Sequence, residues 1–330
     1  MSDYGQTWTD KELEDLERRI AQIYKDAAED LKEKIDAFFQ HFAVQDKKYI
    51  AMLDAGDITE SKYKKWRLAQ MGRGARFEAL RLAIAERYTN ANEVAIAYVN
   101  DITPGIYSLN RNYAAYTIEQ VAGDVGFTLW DEQTVKRLIK EDPSLMPYYP
   151  AKKALQRGID LAWGKQQITK QVTSGILQGE SIGKIADRLQ VNIPNMNRDS
   201  AIRTARTAVT GAQNAGRMDS YVAAQKMGIK MEREWVATLD DRTRHAHQIL
   251  DGQRAPIDKP FKVDGREIMF PGDDKAAPYL VYNCRCTLVA AVKGVHAVAS
   301  RRARNPQTKE NEILPNLSYE QWEERVKGRA

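Results

Sequence analysis

The sequence contains very little cysteine, with two residues, Cys284 and Cys286, in a chain of 330. A cytosolic chain with two cysteines has no disulfide framework, so metal binding, redox chemistry or simple burial are the roles left for them. The sequence also lacks any run of about eighteen apolar residues, and its first residues are acidic and polar rather than basic and then apolar. We therefore expect a protein that is made and kept in a cytosol, with no membrane partner.

Short motifs of several enzyme classes are also missing. The sequence contains no glycine-rich phosphate loop, no H-E-x-x-H and no G-x-S-x-G, which argues against the enzymes that carry them. Hydrophobic residues make up 43% and charged residues 29%, the composition of a globular protein long enough for two domains. The net charge of +5 is mild, so it allows weak contact with nucleic acid without requiring it.

Helical periodicity dominates the first two thirds of the chain. Thr9 and Glu12 have the spacing of a capping box, and apolar residues then recur at steps of three and four as far as Phe42. We expect this stripe to pack on later helices of the same chain, with a partner coiled coil as the alternative. Further helix boundaries are predicted at Thr59, at Pro104 with Gly105, and at Ser200 after a polar connection over residues 192–199.

The period changes to two after Gly228. Residues 230–240 alternate as a strand, residues 243–250 fit two helical turns, and Asp264-Gly265 between two alternating runs indicates a hairpin. Residues 279–292 fit a last strand. We therefore predict an α+β fold with a long, mainly α-helical N-terminal region (1–228), a small α+β domain with a β-hairpin (229–294), and a basic flexible tail with a short terminal helix (295–330).

The spacing of the two cysteines bears on their chemistry. On a strand, Cys284 and Cys286 point the same way with Cα atoms roughly 6.5 to 7 Å apart, the upper edge of disulfide geometry. Two thiolates can hold one tetrahedral zinc ion without distortion, and His245 and His247 are candidates for the remaining ligands. Residues two apart diverge around a helix, so the two histidines cannot both reach one ion from a helix. His247 is favoured because it lies one turn before Asp251, whose carboxylate could support it. The alternative is two buried, inert cysteines and a hydrogen-bonded histidine.

The same residues allow an enzymatic interpretation. A metal-dependent nuclease could be assembled from the two histidines together with Asp240, Asp241, Asp251 and Asn283. Thiolate ligands favour a closed structural site over an open catalytic one, so a structural zinc is the metal hypothesis beside buried inert cysteines, and we expect no enzyme activity. The nuclease, or another DNA-processing enzyme, stays as the alternative.

The motifs EWVATLDDRTRHAHQILDGQ, PFKVDG, MFPGDD and NCRC occur in that order between residues 234 and 286. They resemble the signature of the phage head-morphogenesis family, the minor head proteins similar to protein F of phage Mu. Upstream, Ala205-Arg206-Thr207-Ala208 resembles the family's Ala-Arg-Thr-Glu, with alanine in place of the acidic residue. The signature positions are Trp235, Arg244, His247, Asp251, Gly252, Pro271, Gly272, Asp273, Asn283, Cys284, Arg285 and Cys286.

The resemblance implies a minor capsid protein present in few copies inside the phage head. It implies association with the portal protein and with capsid or scaffolding proteins during head assembly in the host cytoplasm. It also implies DNA contact in some members, during packaging or ejection.

Arginine clusters indicate where DNA contact is expected. Three candidates, Arg203, Arg206 and Arg217, lie in the helix predicted to begin at Ser200, and three more, Arg301, Arg302 and Arg304, lie in the polar tail. Such clusters contact phosphates without reading sequence, and their affinity falls steeply with salt. The alternatives are a solvated tail and, for Arg206, a structural salt bridge.

Overall fold

The computed structural model describes residues 3–122, 126–142, 161–292, 301–304 and 311–314. The chain divides into two compact units. The helical unit contains described residues 17–98 and 161–202. The mixed unit contains described residues 3–16, 99–122, 126–142 and those from 203 onward. The predicted class, α+β with a long helical N-terminal region, is confirmed.

The helices occupy most of the described chain. Their bounds are α1 Tyr4–Asp54, α2 Glu60–Met71, α3 Ala75–Ala122, α4 Glu132–Glu141, α5 Leu161–Leu177, α6 Ile182–Asp187, a π-helical turn Arg188–Asn192, α7 Ile193–Lys226, α8 His245–Leu250 and α9 Pro278–Val281. Among the described residues, no helix is long and apolar enough to cross a bilayer.

The stripe predicted along α1 forms the core of the helical unit. Ile20, Leu31 and Ile35 are almost completely buried, as are Ile84 and Ala91 of α3. Apolar side chains at steps of three and four lie on one face of a helix, so burying that face removes all of them from water together.

Helix α1 begins earlier than the capping pattern predicted. The hydroxyl of Thr9, inside α1, donates to the carbonyl oxygen of Gly5 at 2.7 Å and accepts a hydrogen bond from the Nδ2 atom of Asn110 at 2.8 Å. The prediction of Thr9 as an N-cap is therefore wrong, because tertiary contact with α3 uses the hydroxyl. The prediction at Thr59 is confirmed, since its hydroxyl accepts the amide of Lys62 at 3.2 Å.

Two predicted interruptions are in fact helical. Helix α3 continues through Pro104, which removes only one backbone donor from a helix of 48 residues. Helix α7 begins at Ile193, inside the stretch predicted as a polar connection, and Pro194 lies in its first turn. This first turn follows directly on the π-helical turn Arg188–Asn192, where the regular hydrogen-bond pattern of the helix is already altered.

The mixed unit holds the described strands. Strands β1 (Met231–Val236), β2 (Arg254–Pro256) and β5 (Thr287–Val292) form an antiparallel sheet in the order β2-β1-β5. Strands β3 (Phe261–Val263) and β4 (Arg266–Ile268) form the predicted hairpin. Asp264 and Gly265 both have positive φ, 50° and 67°, as a type I′ turn requires.

The last predicted strand is much shorter than expected. Pro278–Val281 is a helical turn, Asn283 has a φ of 56°, and β5 begins only at Thr287. Asparagine is one of the few residues that adopts the left-handed conformation readily, and here it turns the chain between α9 and β5. Cys284 and Cys286, two apart, continue the alternation of β5 backwards along the sequence, which is why a longer strand was predicted. Both are buried, but they lie in the segment before the strand.

Part of the predicted flexible tail has regular structure. Arg301–Arg304 forms strand β6, which pairs antiparallel with β7, Asn311–Leu314. The terminal helix predicted near the end of the chain lies outside the described residues.

Candidate metal centre

Three buried side chains that can ligate a metal come together in the mixed unit. His247 lies on α8, and Cys284 and Cys286 lie between α9 and β5. The ligand atoms lie within 4.8 Å of one another, and none of the three residues is more than 3% exposed. The Nδ1 atom of His247 is 3.7 Å from the Sγ of Cys284 and 3.3 Å from the Sγ of Cys286. Both thiols are free in the structure.

The hydrogen bond of the Nε2 atom of His247 determines which ring nitrogen carries the hydrogen and which carries the lone pair. Its Nε2 lies 3.0 Å from the carbonyl oxygen of Leu280. A carbonyl oxygen can only accept, so Nε2 carries the hydrogen and Nδ1 presents its lone pair to the two sulfurs. Histidines that bind metals are commonly held in this way by a carbonyl group on the other nitrogen.

The distances within the cluster fit a zinc ion. In tetrahedral geometry, with a Zn–S bond of about 2.3 Å and a Zn–N bond of about 2.0 Å, sulfur and nitrogen lie about 3.5 Å apart. The distances of 3.3 and 3.7 Å from His247 to the two sulfurs lie on either side of that value. The cluster could therefore hold such an ion with little movement of its side chains.

The cluster supplies three ligands. Among the described residues, no fourth histidine, cysteine, aspartate or glutamate joins it. A tetrahedral ion would therefore need a water molecule, or a group outside these residues, as its fourth ligand. Three protein ligands and a water is also the number found in catalytic zinc sites, but the burial of all three side chains gives a substrate little access.

The two thiols have different electrostatic surroundings. Burial acts to raise the pKa of Cys284, but hydrogen bonds from Cys286 and the nearby Arg244 and Arg285 outweigh burial and lower the pKa. Burial raises the pKa of Cys286 well above its ordinary value, and the charge on Cys284 adds to that effect. Of the two thiols, that of Cys284 therefore loses its proton more readily than that of Cys286.

An aromatic wall closes one side of the cluster. The Trp235 ring packs edge-on against His247, with centroids 5.7 Å apart, and against Phe261 at 5.4 Å. Trp235 is fully buried on β1. It therefore keeps water away from the imidazole and restricts its rotation.

Helix α7 holds the cysteine segment with polar side chains. The hydroxyl of Thr210 donates to the carbonyl oxygen of Cys284 at 2.7 Å. The Nδ2 of Asn214 donates to the carbonyl oxygen of Cys286 at 3.2 Å, and its Oδ1 accepts the amide of Leu288 at 2.9 Å. Strand β5 lies at an edge of its sheet, so these side chains satisfy backbone groups that no strand pairs. We call Thr207, Thr210, Asn214 and Arg217 the polar stripe of α7.

Arg217 completes this stripe and is no surface residue. It is 3% exposed, donates to the carbonyl oxygen of Leu288 at 3.0 Å, and contacts both carboxylate oxygens of Asp3 at 2.7 and 2.8 Å. Burial opposes its charge, but Asp3 outweighs burial and holds the pKa of Arg217 above its ordinary value. The prediction of Arg217 as a DNA contact is therefore wrong, because its guanidinium is occupied inside the fold.

The other signature residues also have structural contacts. The carboxylate of Asp251 accepts the amide of Ala237, and that of Asp273 accepts the amides of Met269 and Lys275. Gly252 has a φ of 74° and donates its amide to the carbonyl oxygen of Trp235, and Asn283 donates its amide to the hydroxyl of Thr207. Arg244 donates to the carbonyl oxygen of Tyr282, and Arg285 pairs with Asp240. Pro271 is buried beside Gly272, whose added Cβ would lie 2.6 Å from the Cα of Gly211.

Two groups of predicted site residues lie away from this cluster. His245 is exposed at the first residue of α8, about 200° around the helix from His247, and does not join it. Arg203 is exposed and Arg206 is partly exposed on α7. The side chains of Arg301, Arg302 and Arg304 lie outside the described part of the chain.

The sequence contains a pattern of polar residues that indicates the polar stripe of α7. Thr207, Thr210, Asn214 and Arg217 recur at steps of three, four and three, which places them on one helical face. A polar face on a helix in an apolar neighbourhood indicates that backbone groups without partners lie opposite. Nothing in the sequence indicates that the carbonyl oxygen of Leu280 lies beside the Nε2 atom of His247.

Comparisons with known proteins agree with the signature. The family model described as Phage Mu protein F like protein matches residues 166–289. Minor head protein GP7 of Bacillus phage SPP1 is 25% identical over 328 residues, 97% of this chain and 96% of GP7. The uncharacterized protein YqbB of Bacillus subtilis (strain 168) is 30% identical over 153 residues, 44% of this chain and 47% of YqbB. No solved structure matches.

A relative with an enzyme name also matches. The NAD(+)--arginine ADP-ribosyltransferase EFV of Enterococcus faecalis (strain ATCC 700802 / V583) is 27% identical over 253 residues. The match covers 73% of this chain and spans half the length of EFV. The family match and the likeness to GP7 along nearly the whole chain confirm the resemblance to the phage minor head proteins that the signature residues predicted.

Proposed function

We propose that this chain is a structural component of a phage head, acting in head assembly while bound to the portal inside the capsid. The observation that carries the proposal is the alignment with GP7, which leaves almost no part of either protein unmatched. A relationship over whole chains favours a shared role more strongly than a match to one region. In this proposal the chain resides in the virion and meets capsid or scaffolding proteins in the host cytoplasm.

Incorporation into heads tests this role. Heads would be assembled from the capsid, scaffolding and portal proteins of the same phage, with and without this chain, and purified on a gradient. We expect a few copies of the chain in each head and none when the portal is omitted. Heads that exclude the chain would contradict the structural role, whereas incorporation without portal would contradict only the portal contact.

We propose further that the chain has no catalytic activity. The buried cluster and the structural contacts of the signature residues support this. The name of EFV is the observation that favours the alternative, although this chain spans half of EFV. Purified protein should transfer no ADP-ribose from NAD⁺ to arginine and should cut no plasmid with added divalent metal. Either activity, lost in an Asp240→Asn or His247→Ala variant that remains folded, would contradict the proposal.

Contact with DNA is a finer part of the proposed role. Arg203 and Arg206 of α7 stay as candidates, together with Arg301, Arg302 and Arg304 of β6. Such contact would be independent of sequence and would weaken as salt rises. Replacing the three arginines of β6 by glutamine should weaken the binding of a short duplex, and unchanged affinity would remove them from the account.

The cluster of His247, Cys284 and Cys286 is proposed as a structural zinc site. The lone pair of Nδ1, the distances to the two sulfurs and the burial of all three residues support this. Cobalt(II) added to metal-free protein should give the visible absorption of a tetrahedral site with thiolate ligands. His247→Ala should abolish the spectrum and His245→Ala should preserve it. A parent protein that gives no such spectrum would contradict the proposal.

A further inference from the structure

One short segment carries a net positive charge as large as that of the whole chain. Residues 59–76 contain six basic residues and one acidic residue, a net charge of +5 that equals the net charge of the whole chain. The remainder of the sequence is therefore neutral in sum. The segment comprises α2, the turn after it and the first residues of α3, all within the helical unit.

Most of these cations are exposed and lack ion-pair partners. Lys62, Lys65, Arg73 and Arg76 are exposed, as are Lys47 and Lys48 near the end of α1. We call these six residues the basic corner. None of them has a carboxylate within ion-pair distance among the described residues, whereas Lys64 is paired with Glu60 at 2.6 Å. Charges that the fold leaves uncompensated are available to an anionic partner.

Contacts between α1 and α2 hold the corner together. Tyr49 of α1 stacks on Trp66 of α2 with ring centroids 4.3 Å apart. The hydroxyl of Tyr63 donates to Asp46 at 2.9 Å, and Arg67 lies 3.3 Å from the same carboxylate. Arg67 is 1% exposed, so its charge is used within the fold and does not belong to the corner.

The direction of α2 places the lysines towards solvent. Its buried residues, Tyr63, Arg67 and Met71, form one stripe at steps of four. Lys62 and Lys65 lie three apart on the opposite face. Because twelve helical residues span about 18 Å, the corner extends far enough to meet several phosphates along one strand.

We propose that the basic corner is a binding site for the phosphate backbone of double-stranded nucleic acid. The inference deepens the proposed head role and rests on it, since the head interior would bring the protein against DNA. A single-strand site would need aromatic rings free to stack on bases, but Tyr49 and Trp66 are stacked on each other. An acidic protein partner would need an exposed aromatic anchor beside the cations, and these two rings are again already partnered. The phosphate backbone needs the cations alone.

The test is duplex binding by a variant of the corner. The full chain with Lys62→Gln, Lys65→Gln, Arg73→Gln and Arg76→Gln is compared with the parent by fluorescence anisotropy on a duplex of random sequence. We expect the dissociation constant to rise at least tenfold at low salt. The slope of log affinity against log salt should fall by about three to four, because each phosphate contact contributes about 0.9. The unfolding temperature should not change, because these side chains are exposed and unpaired.

A control variant tests whether the loss of exposed cations elsewhere also weakens binding. Lys226→Gln with Lys230→Gln removes exposed charges from the mixed unit, and it should change duplex affinity less than twofold. A parent that does not bind duplex, or a corner variant that binds like the parent, would overturn the inference. Preferred binding of single strands, or of an acidic polypeptide over duplex, would overturn it as well. The proposed head role fails separately, if the parent is absent from assembled heads.

Discussion

The Nδ1 atom of His247 lies 3.3 Å from the Sγ of Cys286, although the two residues are 39 positions apart. The contact joins α8 to the segment before β5, so it links the beginning and the end of the signature region. The histidine is held by the carbonyl group of Leu280, and the cysteine segment is held by the polar stripe of α7. The signature residues therefore hold this part of the fold together around a candidate metal centre.

Asn214 should be critical for stability. It is fully buried and bonded to the carbonyl oxygen of Cys286 and the amide of Leu288. Asn214→Ala leaves both backbone groups without partners, which should cost about 1 to 3 kcal/mol in the free energy of unfolding. Denaturant titration measures the change. Gln225→Ala, at an exposed position of the same helix, should change the free energy by less than about 0.5 kcal/mol. Equal effects of the two substitutions would show that the stripe contributes nothing specific.

Gly216 should tolerate no side chain. A Cβ at this position would lie 2.4 Å from the carbonyl oxygen of Tyr107, where α3 and α7 approach closely. Gly216→Ala should therefore destabilise the protein by about 1 to 3 kcal/mol, although alanine normally favours a helix. Gly183→Ala, whose Cβ would meet nothing closer than 3.9 Å, should be neutral or stabilising. Thermal unfolding of both variants tests this, and a stabilised Gly216→Ala would contradict the packing.

The ion pair between Asp240 and Arg285 should give stability that depends on pH. Asp240 is 2% exposed and accepts from the Nη2 of Arg285 at 2.8 Å. Burial acts to raise the pKa of Asp240, but the hydrogen bonds from Arg285 outweigh it and hold the pKa below its ordinary value of 3.8. The stabilisation is therefore complete above pH 3.8 and is lost as the pH falls through the lower pKa of the folded protein.

Asp240→Asn should remove this dependence. The variant should lose about 2 to 5 kcal/mol of unfolding free energy at pH 7, because the partly buried Arg285 loses its partner. Its stability should fall less than that of the parent between pH 4 and about pH 2. Asp241→Asn, at the exposed neighbouring position, should behave like the parent. Identical pH profiles for the parent and Asp240→Asn would contradict the role of the pair.

Asn283 should be replaceable by glycine but not by a branched residue. Its φ of 56° lies in the left-handed region, which costs most residues about 1 to 2 kcal/mol. Asn283→Gly should keep nearly the stability of the parent, and Asn283→Val should lose at least that amount. Because the turn places Cys284 and Cys286, the valine variant should also bind metal more weakly. Retained stability in the valine variant would show that the turn is not constrained.

The parts of the fold that sequence predicted are the parts with local causes. The hairpin at Asp264-Gly265 follows from residues that accept positive φ, and the stripe of α1 follows from apolar spacing. Cys284 and Cys286 do lie together as predicted, but they lie between α9 and β5 and not on the strand from which their common direction was predicted.

The parts that sequence missed depend on distant contacts. Arg217 resembled a surface arginine because its partner, Asp3, lies 214 positions away. Thr9 resembled a cap because its contact with Asn110 crosses 101 positions. The preference for His247 over His245 was made from the sequence, and the structure brings His247 and not His245 to the two cysteines. Charge spacing alone does not show which cations are free, so the basic corner was also missed.

The most direct test of the account is the zinc content of the purified protein. Elemental mass spectrometry would be applied to protein purified without chelator, alongside its unfolding temperature, for the parent, His245→Ala, His247→Ala and the double variant Cys284→Ser, Cys286→Ser. We expect one zinc per chain in the parent and in His245→Ala, and none in the other two variants, which should also unfold at lower temperature. A parent that contains no metal and unfolds at the same temperature as the cysteine variant would contradict a metal centre in the signature.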